Sequence, residues 1–319
     1  MHGRSSDLAD ALPADPLSEV LQELRLSGVS YGRCDLGRPW GLELVPQAAA
    51  RFHFVAAGSC WMDSQMLGWI PLQAGDVALL PRGDGHALAD SPRGKTRRLE
   101  DLPAEPVGER LYRLRAGGRG AKTVLACCSV KFEEPALHPL LELMPPVLVV
   151  RGAATRDATL PALIDTMAAE VLEQRVGAST ILVRLADVII ARVIRAWVES
   201  GEDTSGWLVA IRDPSIGRAL AAIHRQPGER WSVESLADVA RTSRSIFAER
   251  FTGTVGIPPA RYLARWRMHL ARGWLRDPRQ GVAEVAARLG YDSEAAFSRA
   301  FKRLTGAPPS ALRHLGRAA

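Results

Sequence analysis

The chain has 319 residues, 47% apolar and 24% charged, with a formal net charge of +6, long enough for two domains with full cores. This near-average composition excludes collagen-like and disordered chains, and apolar runs such as Val147–Val150 fall far short of the ~20 residues of a bilayer-spanning helix. The charge is uneven: of 41 basic and 35 acidic residues, Asp213 to Ala319 holds 18 and 9, leaving 23 and 26 for the remainder.

A basic segment joined to a mildly acidic one fits a polyanion-binding module attached to something else, or a basic surface kept for solubility. The opening residues lack the basic-then-apolar layout of a secretory signal. The four cysteines, Cys34, Cys60 and the adjacent Cys127 and Cys128, are too few for a disulfide scaffold. The expectation is a cytoplasmic protein with no membrane partner.

In chain order, Leu17, Val20, Leu21, Leu24 and Leu26 stand near helical spacing and predict a short leading helix. Runs of β-formers follow at Gly41–Val45, Arg51–Ala56, Asp76–Leu80 and Lys122–Phe132, each bounded by Gly or Pro clusters. They predict a sandwich or small barrel within residues 1–144. Arg93–Arg119 is polar and irregular, which predicts a long loop or a weakly ordered hairpin.

After Met144-Pro145-Pro146 the period changes. Leu160, Leu163, Ile164, Met167, Val171 and Leu172 follow helical spacing as far as Gly177, and a second run spans Ile181 to Trp197. This predicts a helical hairpin within 145–206. Its second stripe is broad enough for burial against its own domain and against a second copy of the chain, as in a homodimer. Ser200–Gly206 reads as a linker.

Residues 207–319 carry an internal repeat at an offset of 50: Phe247/Phe297, Phe251/Phe301, Gly256/Gly306, Pro258/Pro308 and Pro259/Pro309. Each copy has a short amphipathic helix, a tight turn, and a second helix opened by a Ser that can cap it. A Gly-x-Pro-Pro ends the copy, because proline cannot continue a helix. Helix, short turn and capped helix make the helix-turn-helix plan, whose second helix enters the major groove. The first turn departs from the second, with Arg241 where the second has Gly290.

With the Phe pairs facing inward, Arg244, Ser245, Ala248, Glu249 and Thr252 lie on or near one free face, and Glu294, Ala295, Ser298, Arg299 and Lys302 on the other. Arg299 suits a bidentate contact to guanine, and Glu249 and Glu294 suit cytosine N4 or the helix dipole. Arg250, Lys302 and Arg303 suit phosphates.

Trp231-Ser232-Val233-Glu234-Ser235-Leu236-Ala237, Arg265-Trp266-Arg267-Met268 and Gly290-Tyr291 resemble the DNA-binding domain of the AraC/XylS transcription regulators. So does Phe297-Ser298-Arg299-Ala300-Phe301-Lys302-Arg303, followed by Gly306-x-Pro308-Pro309. The resemblance covers roughly Asp213–Arg313. It implies two helix-turn-helix units joined by a long helix, Pro259–Arg276, with promoter duplex DNA as partner. It favours an activator, for which RNA polymerase is a further partner.

Gly75-Asp76-Val77-Ala78-Leu79-Leu80-Pro81-Arg82-Gly83-Asp84-Gly85-His86 resembles the second motif of the cupin barrel, and Asp90 stands where many cupins have Asn. The first motif is reduced to His53. An α+β multidomain fold follows: a cupin-like β-barrel with a helical hairpin, then an all-α domain over 207–319. His53 and His86 would line one barrel, and Cys34, Cys127 or Cys128 could complete a zinc or copper site or act as redox thiols. The other roles open to these residues are small apolar packing for Cys and a hydrogen-bonded interior for His, with an organic effector in the barrel. A cupin metalloenzyme, an oxygenase or isomerase with an accessory DNA-binding module, is the alternative function. It would need three or four convergent ligands.

Overall fold

The computed structural model describes residues 26–132, 144–152, 159–200 and 207–311, apart from 65, 109, 174 and 278, with a few single positions before 26 and at 141. The expected leading helix falls mainly outside these residues, as does the linker at 201–206. The chain divides into two compact units. One contains Arg25–Glu133 and Met144–Asp203, so the helical hairpin belongs with the strands; the other contains Thr204–Ala319.

The first unit is built from two facing sheets. One has the order β12 (Leu148–Val150), β6 (Val77–Leu80), β3 (Ala50–Ala57), β11 (Lys122–Phe132), β1 (Leu26–Gly37), β10 (Leu111–Gly117) and β9 (Ala104–Gly108). The other runs β5 (Gly68–Gln73), β4 (Ser59–Ser64), β7 (His86–Ala89), β2 (Gly41–Leu44) and β8 (Arg97–Arg98). Leu36, Leu42, Val55, Met62, Leu72, Leu80, Leu88 and Leu125 fill the space between them. Alternation of side chains along each strand explains why Val55 joins this core while Phe52 and Phe54 are buried on the other face.

All four strands expected from β-former runs are present. Within Arg93–Arg119 the structure has the hairpin alternative rather than a single loop, and more besides. The stretch contains β8, a 3-10 turn at Leu99–Asp101, and the antiparallel pair β9–β10, and β10 continues as the parallel partner of β1 from Tyr31↔Leu111 to Gly37↔Gly117. β1 itself escapes a pattern search because Gly28, Gly32, Arg33, Asp35 and Gly37 interrupt its alternation. Gly83 makes the turn that delivers β7. Its φ is +68°, and a Cβ there would stand 2.1 Å from the Ala49 carbonyl oxygen and 2.4 Å from that of Gln47, so only glycine fits.

The hairpin consists of α1 (Leu160–Glu173) and α2 (Ala178–Ser200), turned at Gly177 with φ +88°. Ile164, Met167, Leu182, Ile189, Ile190, Val193, Ile194 and Trp197 are buried. Most of the broad stripe is thus covered within the unit, while Ile181 and Val188 stay 43% and 44% exposed.

The second unit comprises α3 (Trp207–Arg212), α4 (Pro214–Arg225), α5 (Val233–Ala240), α6 (Arg244–Val255), α7 (Pro259–Leu275), α8 (Val282–Arg288) and α9 (Glu294–Thr305). Asp213 caps α4 by accepting from the amides of Ser215 and Ile216, and Ser232 and Ser235 form a capping box on α5. Phe247, Phe251, Phe297 and Phe301 share one core with Tyr262, Leu263, Trp266 and Leu275 of α7. The long helix therefore supplies the floor on which both repeats are built.

Candidate nucleic-acid interface and sensor cluster

The repeat seen in the sequence is a repeat in space. α6 and α9 are both 12 residues long; Ser243 and Ser293 accept from the amides of Ile246 and Ala296, and left-handed Gly256 and Gly306 close them. Within each, the two Phe rings lie tilted against one another along the buried stripe, their centroids 5.5 Å apart in α6 and 5.6 Å in α9. The turn before α6 closes through Arg241 at φ +57°, matching Gly290 at φ +73°. Both turns thus pass through a left-handed residue despite the departure at Arg241.

Arg244, Ser245, Glu249 and Arg250 of α6 are exposed, as are Glu294, Ala295, Arg299, Lys302 and Arg303 of α9; Ala248, Thr252 and Ser298 are half-buried beside them. None of them is buried. The Arg250 guanidinium, half exposed, is also paired with Asp213, the residue that caps α4, and so ties α6 to α4. Pattern reasoning missed Ile246, which is apolar and 49% exposed in the first turn of α6. The available signal was an apolar residue next to the inward-facing Phe247.

In the first unit, β3 and β11 pair His53 with Cys127, and the turn after β6 brings His86 across the barrel. The His86 Nδ1 lies 2.9 Å from the Asp84 carbonyl oxygen, which can only accept, so that nitrogen carries the proton. His86 Nε2 is then an acceptor for His53 Nε2–H at 2.7 Å, and His53 Nδ1 accepts from the Cys127 thiol at 3.1 Å. One backbone carbonyl thereby sets the tautomer of both rings. Burial holds His53 well below its ordinary pKa and pushes His86 down to about 4, and Arg51 nearby works in the same direction on both. A hydrogen bond with the Cys34 thiol, and then burial, holds Cys127 well above the ordinary thiol range.

Cys34 joins this cluster, but Cys128 does not. Neighbours on a strand face opposite ways, and Cys128 Sγ lies 4.0 Å from Met167 Sδ of α1. Cys60, not singled out from sequence, lies in the same core as Cys34. Two imidazole nitrogens 2.7 Å apart share a proton, whereas ligands at ~2.0–2.1 Å from a tetrahedral zinc stand farther from one another. Among the described residues, no group of three or more His, Cys, Asp or Glu is arranged to hold a metal ion.

Buried neutral imidazoles carry a cost in acid. Their unfolded forms take up protons near pH 6.5 while the folded His86 resists until about pH 4, so stability is complete above pH 6.5 and falls below it. The expected loss is up to about 1.4 kcal/mol per pH unit per imidazole. Thermal melts between pH 7.5 and 4.5 should show it, with a smaller drop in His86→Gln.

The cupin family profile matches residues 15–199, and a helix-turn-helix domain profile matches 236–314. An AraC-like transcription regulator of Streptomyces lividans is 32% identical over 307 residues, spanning 94% of this chain and 98% of its own. The transcriptional regulator AlkR of Acinetobacter baylyi is 28% identical over 91% of this chain and 95% of its own. The crystallised DNA-binding domain of AdpA, in complex with a target DNA, is 34% identical over 33% of this chain and 95% of that one, at a TM-score of 0.31. No described helix is long and apolar enough to cross a membrane. With a cupin domain followed by two helix-turn-helix units, the chain belongs to the AraC-like transcription regulators, and is a DNA-binding regulator rather than an enzyme.

Proposed function

We propose that the second unit reads two neighbouring major-groove segments, one with α6 and one with α9, as the DNA-binding half of a homodimeric activator gated by the barrel. The observation that carries this reading is the equivalence of two capped helices on one shared core, each with polar and basic residues on its exposed face. Arg299 contacts guanine, and Ile246 meets a thymine methyl. Glu249 and Glu294 accept from cytosine, with Arg244, Ser245, Ala248, Thr252, Ala295 and Ser298 framing the base edges. Lys302 and Arg303 hold phosphates.

Footprinting on a selected promoter duplex tests this. Each protomer should protect two segments about one turn apart, roughly 10–10.5 bp, and affinity should fall steeply with salt. A single protected segment per protomer would contradict it.

Ile181, Leu185 and Val188 recur at 4 and then 3 residues along α2, and the first and last are exposed apolar side chains. That spacing suits a seam between two copies of α2. Val188→Asp should shift the protein from dimer to monomer in sedimentation velocity, with the far-ultraviolet spectrum unchanged. The signal enters through the cluster of His53, His86, Cys127 and Cys34, and RNA polymerase receives the output at the promoter.

A further inference from the structure

We propose that the second unit carries a small-molecule site of its own, apart from the barrel and from the two DNA-reading faces. It takes a planar aromatic ring bearing one anionic oxygen group, either an aryl carboxylate or a heteroaromatic base with a phosphodiester. The second helix-turn-helix unit senses whether the site is filled.

The site is a cavity of about 500 Å³ bounded by the end of α4, the loop after it, α7 and α8. Small-molecule pockets span roughly 300–1,000 Å³. Trp266, Leu270 and Trp274 stand four residues apart along α7 and so form one apolar wall. Such a wall suits the flat face of a ring. None of the lining residues belongs to α6 or α9, so the site does not overlap the base-reading faces.

Two polar groups on this cavity lack partners. The first is His224, which is only 7% exposed. Its Nε2 lies 2.8 Å from the Tyr262 hydroxyl, and its ring packs on Trp266 with centroids 4.3 Å apart, so it is held in one orientation. Its Nδ1 is buried and makes no hydrogen bond. A polar atom in that state carries an uncompensated desolvation cost, which a ligand with a matching group removes. Burial, and then nearby His269, push the imidazole down to about 3. The ring is therefore neutral and offers a hydrogen bond rather than a charge.

The second is Arg288. Its guanidinium carbon lies 3.8 Å from the centroid of the Trp274 ring, and it makes no hydrogen bond or ion pair among the described residues. A guanidinium resting on a ring keeps its N–H edge free, and that edge matches a carboxylate or phosphate through two parallel bonds. Arg225 and Glu229 also line the cavity and offset one another in charge, which leaves the single positive charge of Arg288. A monoanion suits that balance better than a dianion.

The loop Gln226–Glu229 forms part of the cavity and also supports the second turn. Arg267 holds the Pro227 and Glu229 carbonyls, both at 2.7 Å, and the Gly228 carbonyl closes against Gly290. A ligand that shifts or stiffens this loop acts on the turn that sets α9. This coupling rests on the reading that α9 enters the major groove.

Calorimetric titration of the full-length protein tests the site, with indole-3-carboxylate in one arm and cyclic AMP in the other. Indole-3-carboxamide and adenosine are the uncharged controls. At least one anion should bind once per chain, and its control about tenfold or more weakly. The arm that binds identifies the source of the oxyanion. Arg288→Gln should weaken binding about tenfold or more, whereas Arg115→Gln, an equal loss of charge on the barrel, should not. His224→Gln, whose amide can still reach Tyr262 but leaves the Nδ1 position empty, should weaken it about fivefold or more. Arg288 is exposed and can be replaced without disturbing the core, so the test stands even if His224→Gln does not fold. The bound anion should shift affinity for a promoter duplex about fivefold or more, and Arg288→Gln should abolish the shift. Binding of neither anion, or binding that survives Arg288→Gln unchanged, overturns the site. An anion that binds yet leaves DNA affinity unmoved overturns the coupling. A ligand-free protein that binds no duplex DNA overturns instead the functional reading on which the coupling rests.

Discussion

Gly290→Val is expected to abolish specific DNA binding by collapsing the second helix-turn-helix unit. Gly290 sits at φ +73°, where a β-branched side chain costs at least about 1–2 kcal/mol. Its Cβ would also stand 2.1 Å from the Gly228 carbonyl oxygen, and backbone cannot yield as a flexible side chain does. Gly228 is pinned from both sides: Arg267 donates to the carbonyls of Pro227 and Glu229, both at 2.7 Å, and Arg230 pairs with Asp292 at 2.7 Å. With strain and overlap together, a loss of about 3 kcal/mol or more is expected, a large fraction of a domain's stability. Denaturant unfolding followed by tryptophan fluorescence measures it. The first turn supplies the control. Arg241 holds the same left-handed conformation without being glycine, so Arg241→Gly should be neutral or stabilising by up to about 1 kcal/mol. Equal losses from both substitutions would contradict this account.

Arg299→Ala should erase preference at one or two base pairs without unfolding the domain. Arg299 is exposed on α9 and has no ion-pair partner among the described residues, so its removal leaves no buried charge behind. A bidentate arginine–guanine contact is worth about 1–3 kcal/mol of discrimination, roughly 5- to 150-fold between the right base and the wrong one. Lys302→Ala, one turn along the helix, should weaken all sequences alike and flatten the salt dependence by about one phosphate contact. Binding-site selection with both variants separates the two roles. An Arg299 variant that keeps the parental preference everywhere would remove it from base reading.

Features that rest on local chemistry are legible in the amino-acid sequence. The repeat offset, the Ser caps, the paired Phe rings and the Gly-x-Pro-Pro stops all act within a few residues of chain, so they bound both recognition helices and mark their free faces. The same holds for β2, β3, β6 and β11, whose β-formers are bounded by turns. The cupin resemblance implies that His53 and His86 line one barrel, and they meet there.

The order of elements, the two equivalent helices and the residues on their outer faces therefore follow from the chain's own pattern, because capping, periodicity and proline stops act over one or two turns. Which distant groups share an environment is settled by packing instead. β1 and β10 pair in parallel across 80 positions of chain (Tyr31↔Leu111), and no periodicity within either strand encodes that. Arg250 is committed to Asp213 because α3 to α6 pack as one body, and Gly290 must be glycine because Gly228 closes against it. Cys127 and Cys128 are indistinguishable as neighbours in a sequence. The pleat of β11 turns one toward His53 and the other toward Met167, since adjacent side chains on a strand must face opposite sides of the sheet.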